Sequence, residues 1–383
     1  MKCVEAYKEK YKQEPLDVAF CPYRVCPIGA HSDHNKGKIT GFAINKGINI
    51  AYGLNESVIV SSLDFEGEYN WNFDVSKKEN DWADYLRGVT YYLNSSYSLH
   101  NGIKCVIEGS IPVGGLSSSA AVIIAFIKAL TKANSIELSN RELIDVAFNA
   151  ENKFVGVNVG VLDQSCEVLC KKDHLLYLDT KDNSYELIKK PNNMKPFDIV
   201  IFYSGLEHSL VSSKFNDRVD ELKQAAKSLA EYAGIKSEGV LCRDVPIEIF
   251  EKYKDKLDET KRLRANHWFG EYQRVEKGAQ AFENGDIEEY GRLSFESGIS
   301  SIDNWQTGAP EQIKLFEIMR ETKGIYGGRF SGAGFKGSCI ALVNPEYTKQ
   351  VIDEVSNKYL KCFPNLKGKY ATFVCETADG VGK

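Results

Sequence analysis

Cysteine pairs at metal or redox spacing are missing from this sequence. Its 10 cysteines are scattered, and the closest pairs, Cys21 with Cys26 and Cys166 with Cys170, are not C-x-x-C. A zinc ribbon or a thioredoxin-like centre is therefore excluded at the level of motif, and reduced thiols in a cytoplasmic protein are expected. The six histidines contain no H-E-x-x-H arrangement, so a zinc hydrolase has no support. Long apolar runs are also missing. The longest, Ala120 to Leu130, is broken by Lys128, and the opening "MKCVEAYKEKYKQEPLD" carries no signal-peptide core, so a soluble protein without a membrane partner is expected. An excess of basic charge is lacking too: 48 Lys and Arg stand against 53 Asp and Glu, a net charge of -5. Nothing so balanced draws in nucleic acid by a global field, and any anion must be bound locally. Repeats, low-complexity tracts and the P-loop pattern G-x-x-x-x-G-K-[ST] do not occur.

What is present is a chain of 383 residues, 43% hydrophobic, more than one compact core usually holds. Two domains are expected, 1–195 and 196–383, divided at the polar run "KKPNNMKP" from Lys189 to Pro196. Before it, "GINIAYGL", "ESVIVSSL" and "IKCVIEGSI" read as strands, and "SAAVIIAFIKALTKAN" from Ser119 as a buried helix. After it, "VDELKQAAKSLAEYA" and "APEQIKLFEIMRETK" have helical spacing, while "CIALVN" and "KYATFVCET" look like late strands. Strands and helices mix without a βαβ rhythm, so the fold class is α+β.

Three loops carry the chemistry. "PYRVCPIGAHSDHNKGK", Pro22 to Lys38, concentrates an arginine, two histidines, an aspartate and lysines around two glycines. "GSIPVGGLSSSAAV", Gly109 to Val122, leads from a strand into the buried helix. A helix N-terminus offers unpaired N–H groups and positive dipole, so glycines and successive serines there make an anion cradle, although a plain serine cap is the simpler alternative. "GGRFSGAGFKGS", Gly327 to Ser338, matches G-x-G-x-x-G, but a strand follows it where a dinucleotide fold needs a helix.

In this order the three loops resemble the GHMP small-molecule kinases, specifically the galactokinase branch, over nearly the whole chain. The segments "ENKFVGVNVGVLDQ", "DWADYLRGV" and "YSGLEHSLVSSKFNDRV" are also similar to that branch. The resemblance implies a two-domain fold of mixed sheets and helices with the active site in the cleft between domains, and a transferase that uses ATP and Mg²⁺. It implies that Asp163 is the catalytic acidic residue with Arg24 as its partner, and that Ser119 and Glu151 hold Mg²⁺. The backbone of Gly114, Gly115, Leu116, Ser117, Ser118 and Ser119 is implied to wrap the ATP phosphates, Gly332 and Gly334 to close their far end, and Trp82 to lie against adenine. Asp33 is implied to bind ring hydroxyls, with Ala30, His31, His34 and Gly160 lining the sugar. Arg24 beside Asp163 is expected to keep that carboxylate ionised, making it a weak base and a good positioner.

The substrate loop departs from galactokinase. Where that branch usually reads G-E-H-T-D-Y, this chain reads "GAHSDH", so Ala30 replaces a glutamate that meets a 6-hydroxyl. Removing the glutamate removes a charge clash with a sugar oxidised to a carboxylate at C6. Together with "INKGI" and "SGISSIDNWQTGAP", the loop most closely resembles the galacturonokinases, which implies galacturonate, as its α-anomer, for substrate. His34, Lys36 or Lys38 is the expected cationic partner. Phe215 stands where galactokinases usually carry a sugar-touching tyrosine, so that contact is either absent or supplied from elsewhere, with Tyr203 the candidate. Galactose, another hexose or uronic acid, and a sugar-sensing regulator remain alternatives, as do monomer and homodimer.

Overall fold

The computed structural model of the protein describes residues 1–112, 114–206, 212–332, 334 and 337–382, the side chains of 212–215 excepted. Among the described residues, eight strands form one sheet: β1 (Asp17–Val25), β2 (Lys38–Asn55), β3 (Val58–Ser62), β4 (Glu68–Trp71), β5 (Gly102–Gly109), β6 (His174–Asp179), β7 (Ser184–Lys189) and the late β12 (Thr377–Ala378). The path runs β4-β3-β5-β2-β6-β7, with β1 and β12 also on β2. β2 is its spine: Ile48 to Asn55 pair with β5, Lys38 to Gly41 with β6, and most of its length with β1. All pairs are antiparallel except β3 with β5, which makes the sheet mixed.

Among the described residues, five α-helices belong to this part of the chain: α1 (Lys2–Tyr11), α2 (Asp84–Tyr97), α3 (Ser118–Ala133), α4 (Asn140–Asn149) and α5 (Leu162–Leu169). α3 packs on β1, β2 and β5 and against α2, α4 and α5, so nearly every one of its faces is covered. That is why its sequence is apolar on most faces, with Lys128 the one interruption between Ala120 and Leu130, and not a stripe. α4 opens with a capping box between Ser139 and Glu142, which satisfies two N-terminal donors, and runs into a π-helical turn at Ala150–Val155.

A second, four-stranded sheet holds β8 (Asp198–Tyr203), β9 (Ile325–Phe330), β10 (Ser338–Val343) and β11 (Ala371–Cys375) in the order β11-β8-β10-β9. Its alternation sorts two cores. Val200, Phe202, Ala341 and Val343 face the cluster of α10 (Pro310–Glu321) and α11 (Thr348–Cys362), while Ile199, Ile201, Ile340 and Leu342 join the large core of the first sheet. Both faces are buried, so the strand is apolar from Ile199 to Phe202. A third cluster joins α6 (Ser212–Ala233), α7 (Ile247–Tyr253) and α8 (Glu259–Glu283), and α8 runs alongside α9 (Ile287–Asp303). No helix among the described residues is long and apolar enough to cross a membrane. All ten cysteines are free thiols, nine of them buried.

Candidate active site

Arg24, one residue from the end of β1, meets Asp163 in the first turn of α5. Its Nε donates to Asp163 Oδ1 at 2.7 Å, and Nη2 reaches the same oxygen at 2.7 Å. Burial opposes the charge on Arg24, but the adjacent carboxylate outweighs it and holds the guanidinium above its ordinary range. The same side chain donates through Nη1 to the Gly115 carbonyl at 3.2 Å and lies 3.5 Å from Ser331 Oγ. Arg24 thus ties the helix that carries Asp163 to both glycine-rich loops. One turn further along α5, Glu167 is fully buried, and burial drives its carboxyl well up, toward the neutral form.

The two glycine-rich loops interlock backbone to backbone. A Cβ on Gly114 would stand 2.8 Å from Gly337 Cα, and one on Gly115 would stand 2.5 Å from the Ser331 carbonyl oxygen. A Cβ on Gly332 would lie 2.8 Å from Gly115 Cα. No other residue type fits these approaches, which explains why glycines recur in both segments. Ser338 Oγ donates to the Gly114 carbonyl at 3.0 Å and closes the contact. Gly334 has a positive φ and packs near Thr307. Ser117, the residue before α3, is itself in a left-handed conformation, and its side chain does not cap the helix. The N–H groups at the start of α3, where Ser118 lies, are thereby left for a ligand.

Behind the serines, Ser119 Oγ donates to Glu151 Oε1 at 2.7 Å, and Gln164 Nε2 donates to Glu151 Oε2 at 2.8 Å. Glu151 sits on the π-helical turn and is buried. Burial, with the charge of Asp163 adding, pushes its carboxyl up to about 7, against the pull of Ser119, Gln164 and Arg24. Both hydrogen-bond partners are neutral, so a divalent cation with hard oxygen ligands suits this pair electrostatically.

The substrate loop lies on the other side of Asp163. Asp33 begins a short 3₁₀ turn, and its Oδ2 accepts the Leu162 N–H at 3.3 Å; a Cβ on Gly160 would fall 1.8 Å from that oxygen. His34 Nε2 lies 3.5 Å from Asp33 Oδ1. His31 is buried, its ring stacked on Trp305 at 5.3 Å between centroids. Burial first, then the charge of Arg329, holds its imidazole well below the usual range, so it is neutral. Ala30 is nearly buried among Cys26, Ile39 and Leu162.

Lys38 turns away to Glu276 at 2.9 Å, between the rings of Tyr177 and Tyr272 at 5.3 and 5.4 Å, and Lys36 is exposed. Tyr203 packs its ring 3.1 Å from a Cβ placed on Gly114, and its hydroxyl donates to the Leu206 carbonyl at 3.3 Å. Its ring thus forms part of the wall beside the serine loop. The side chain of Phe215 lies outside the described residues. Trp82 stacks on Phe65 at 5.9 Å and donates from Nε1 to the Glu66 carbonyl, which puts it in an aromatic group with Tyr69 beside the β3–β4 turn. Gln164 was not singled out from the sequence, although it directly follows Asp163.

This fold and this site define a GHMP kinase, and the chain belongs to that family. Models described as GHMP kinases N terminal domain, GHMP kinases C terminal and galactokinase galactose-binding signature match residues 84–171, 279–361 and 5–54. Among individual relatives, a galacturonokinase of Arabidopsis thaliana is 37% identical, over 94% of this chain and 92% of the relative. A galactokinase of Clostridium acetobutylicum is 32% identical, over 99% and 97%. The crystal structure of Lactococcus lactis galactokinase complexed with galactose superimposes with a TM-score of 0.88 at 27% identity, over 98% of this chain and 97% of that one. Mevalonate kinase of Methanococcus jannaschii shares the fold, with a TM-score of 0.66 at 17% identity over 95% and 98%.

Proposed function

We propose that this protein is an ATP-dependent sugar kinase that phosphorylates the anomeric hydroxyl of D-galacturonate, giving galacturonate 1-phosphate. The observation that carries the kinase reading is Arg24, which bonds to Asp163 and to the Gly115 carbonyl together and so joins the sugar end of the site to the phosphate loop. In the reaction the anomeric oxygen forms a bond to the γ-phosphorus, the bond to the bridging oxygen breaks, the hydroxyl proton passes to the Asp163 carboxylate and from there to solvent, and ADP leaves. Asp163 orients the attacking hydroxyl through Oδ2, since both Arg24 contacts end on Oδ1. The N–H groups from Gly114 to Ser119 and the start of α3 bind the phosphates and spread the charge that develops on them, helped by Arg24 and by Gly332 and Gly334. Trp82 is taken to flank the adenine.

Ser119 and Glu151 would hold Mg²⁺, which when bound neutralises the phosphate oxygens. Gln164 orients the Glu151 carboxylate. Replacing it by leucine, of similar volume, is expected to raise the Mg²⁺ concentration for half-maximal rate about 10- to 100-fold, the usual effect of losing a partner behind a metal ligand. A Mg²⁺ titration of Gln164→Leu at saturating ATP and sugar reads this out, and an unchanged midpoint would remove Gln164 from the metal site.

For the substrate, Asp33, His31 and His34 are taken to meet the ring, and Ala30 to leave room for a C6 carboxylate. What supports an acidic sugar is the chemistry of position 30, where alanine, packed among apolar side chains, carries no charge that would repel a carboxylate. Gly160→Ala is expected to displace Asp33, because the new Cβ would overlap its carboxylate. The sugar KM should rise about tenfold or more, with the ATP KM unmoved. The two-domain division at residue 195 remains part of this reading, supported by strands up to Lys189 lying in one sheet and those from Asp198 to Cys375 in the other.

The test is ATP consumption with Mg²⁺ on galacturonate, glucuronate, galactose and arabinose, comparing kcat/KM. Preference for galacturonate is expected. Preference for galactose would replace the substrate but keep the chemistry, and turnover of none would favour a sugar-sensing regulator.

A further inference from the structure

The loop from Gly29 to Ser32 has a shape that its own residues do not favour. Gly29 has a φ of +110°, and His31, which carries a Cβ, has a φ of +63°. A non-glycine residue stays in the left-handed region only where its surroundings hold it there. Ser32 Oγ ties part of the loop together, donating to the Gly29 carbonyl at 2.8 Å and to the Lys38 carbonyl at 3.0 Å.

The remaining hold comes from one face of α8, more than 230 residues away in sequence. Glu271 Oε1 accepts the Gly29 N–H at 2.6 Å, His267 Nε2 meets the Ala30 carbonyl at 3.1 Å, and Trp268 Nε1 donates to the Ser32 carbonyl at 3.0 Å. A carbonyl only accepts, so Nε2 carries the imidazole proton and Nδ1 accepts from Ser300 Oγ at 3.0 Å. That neutral tautomer is secure, since burial drives His267 down to about 4. Glu271 is fully buried. Burial opposes its charge, but Arg274 at 2.8 Å and Arg329 at 3.5 Å outweigh that and bring its carboxyl down to about 2. Ser297 donates to the same carboxylate.

We propose that Glu271, with His267 and Trp268, is the positioning group of the sugar-binding loop. It sets where Ala30, His31 and Asp33 stand without touching the sugar itself, and the proposal rests on the sugar-kinase reading above. Buried ion clusters are a poor route to stability, because apolar side chains of the same volume hold helices together as well or better. What the cluster adds is direction: an ionised carboxylate aimed at one backbone N–H, and an imidazole and an indole aimed at two carbonyls. The phosphate loop hangs instead from β5 and α3. Glu271 also reaches Arg329 on β9, just before the late glycine loop, but Arg329 keeps Ser297, Ser301 and the Phe330 carbonyl as partners, so errors introduced at α8 fall chiefly on the sugar.

The experiment uses the full-length enzyme with galacturonate and ATP and measures both KM values, kcat and the thermal midpoint for Glu271→Ala, Glu271→Gln and Trp268→Phe. Glu271→Ala is expected to raise the sugar KM about 30-fold with the ATP KM unchanged. Glu271→Gln should recover most of that, because an amide oxygen still accepts the Gly29 N–H. Trp268→Phe keeps an aromatic ring, loses the bond to Ser32, and should raise the sugar KM about fivefold; it decides the matter if Glu271→Ala does not fold. A lower thermal midpoint with an unmoved sugar KM would overturn the proposal and leave α8 a purely structural helix, as would an ATP KM that rises in step. Wild-type turnover combined with unmoved variants overturns this inference alone. A wild-type enzyme silent on every sugar overturns the kinase reading and this inference with it.

Discussion

Asp163→Asn is expected to lower kcat about 1,000-fold or more while ATP binding is retained. Asparagine keeps an oxygen where Arg24 now bonds at 2.7 Å, so the guanidinium stays paired and the glycine loops stay tied to it. What disappears is the negative charge facing the incoming hydroxyl. Phosphoryl transfer has a loose transition state and asks little of a strong base, so the loss is expected through misplaced attack more than through a missing proton acceptor. Asp163→Ala should abolish turnover as well, but it also strands Arg24, and a buried charge left without its partner is strongly destabilising. The pair of variants separates the roles. If Asp163 only braces Arg24, the asparagine enzyme works and the alanine enzyme fails. If Asp163 acts on the hydroxyl, both fail at kcat, and only the alanine enzyme loses thermal stability. Substantial turnover by Asp163→Asn would remove Asp163 from the catalytic role.

The residues legible in the sequence were those whose chemistry sits in contiguous segments. The serine loop could be read because an anion cradle needs glycine, donors and a helix start in one stretch, and α3 does begin at Ser118 after β5. The late glycines could be read as a loop, but their reason could not. Gly332 and Gly337 are required by Gly114 and Gly115, more than 200 positions away, and no local pattern records that contact. The anchors on α8 were invisible for a related reason. His267 and Glu271 lie on its buried face, whereas hydrophobic periodicity reads polar residues at such spacing as a solvated surface. Lys38 goes the opposite way: it has the right functional group and a suitable place in the chain, but the strand on which it sits turns it toward Glu276. Chain neighbourhood gives proximity to a site; strand alternation decides whether a side chain faces it.

Ala30→Glu should move the ratio of kcat/KM for galacturonate to that for galactose by about 1,000-fold toward galactose. The side chain at this position packs with Cys26, Ile39 and Leu162, and its carbonyl is held by His267, so a longer side chain has a fixed origin. A glutamate starting there has no charged partner in that apolar group. It is stabilised when a sugar 6-hydroxyl donates to it, and it is opposed when a C6 carboxylate takes the same place. Like charges brought together in a binding site cost several kcal/mol, and each 1.4 kcal/mol is tenfold, which sets the expected size. Volume alone would give a different pattern. Ala30→Gln fills the same space without charge, so if size is what matters it should harm galacturonate as much as glutamate does. If charge is what matters, glutamine should cost galacturonate little beyond about tenfold and still offer galactose a hydrogen-bond partner. The ATP KM should remain that of the wild type in both, because the phosphate loop is carried by other elements. An unchanged ratio in Ala30→Glu would mean that C6 of the sugar does not face residue 30, and the choice between a uronate and a neutral sugar would then have to be made elsewhere around the ring.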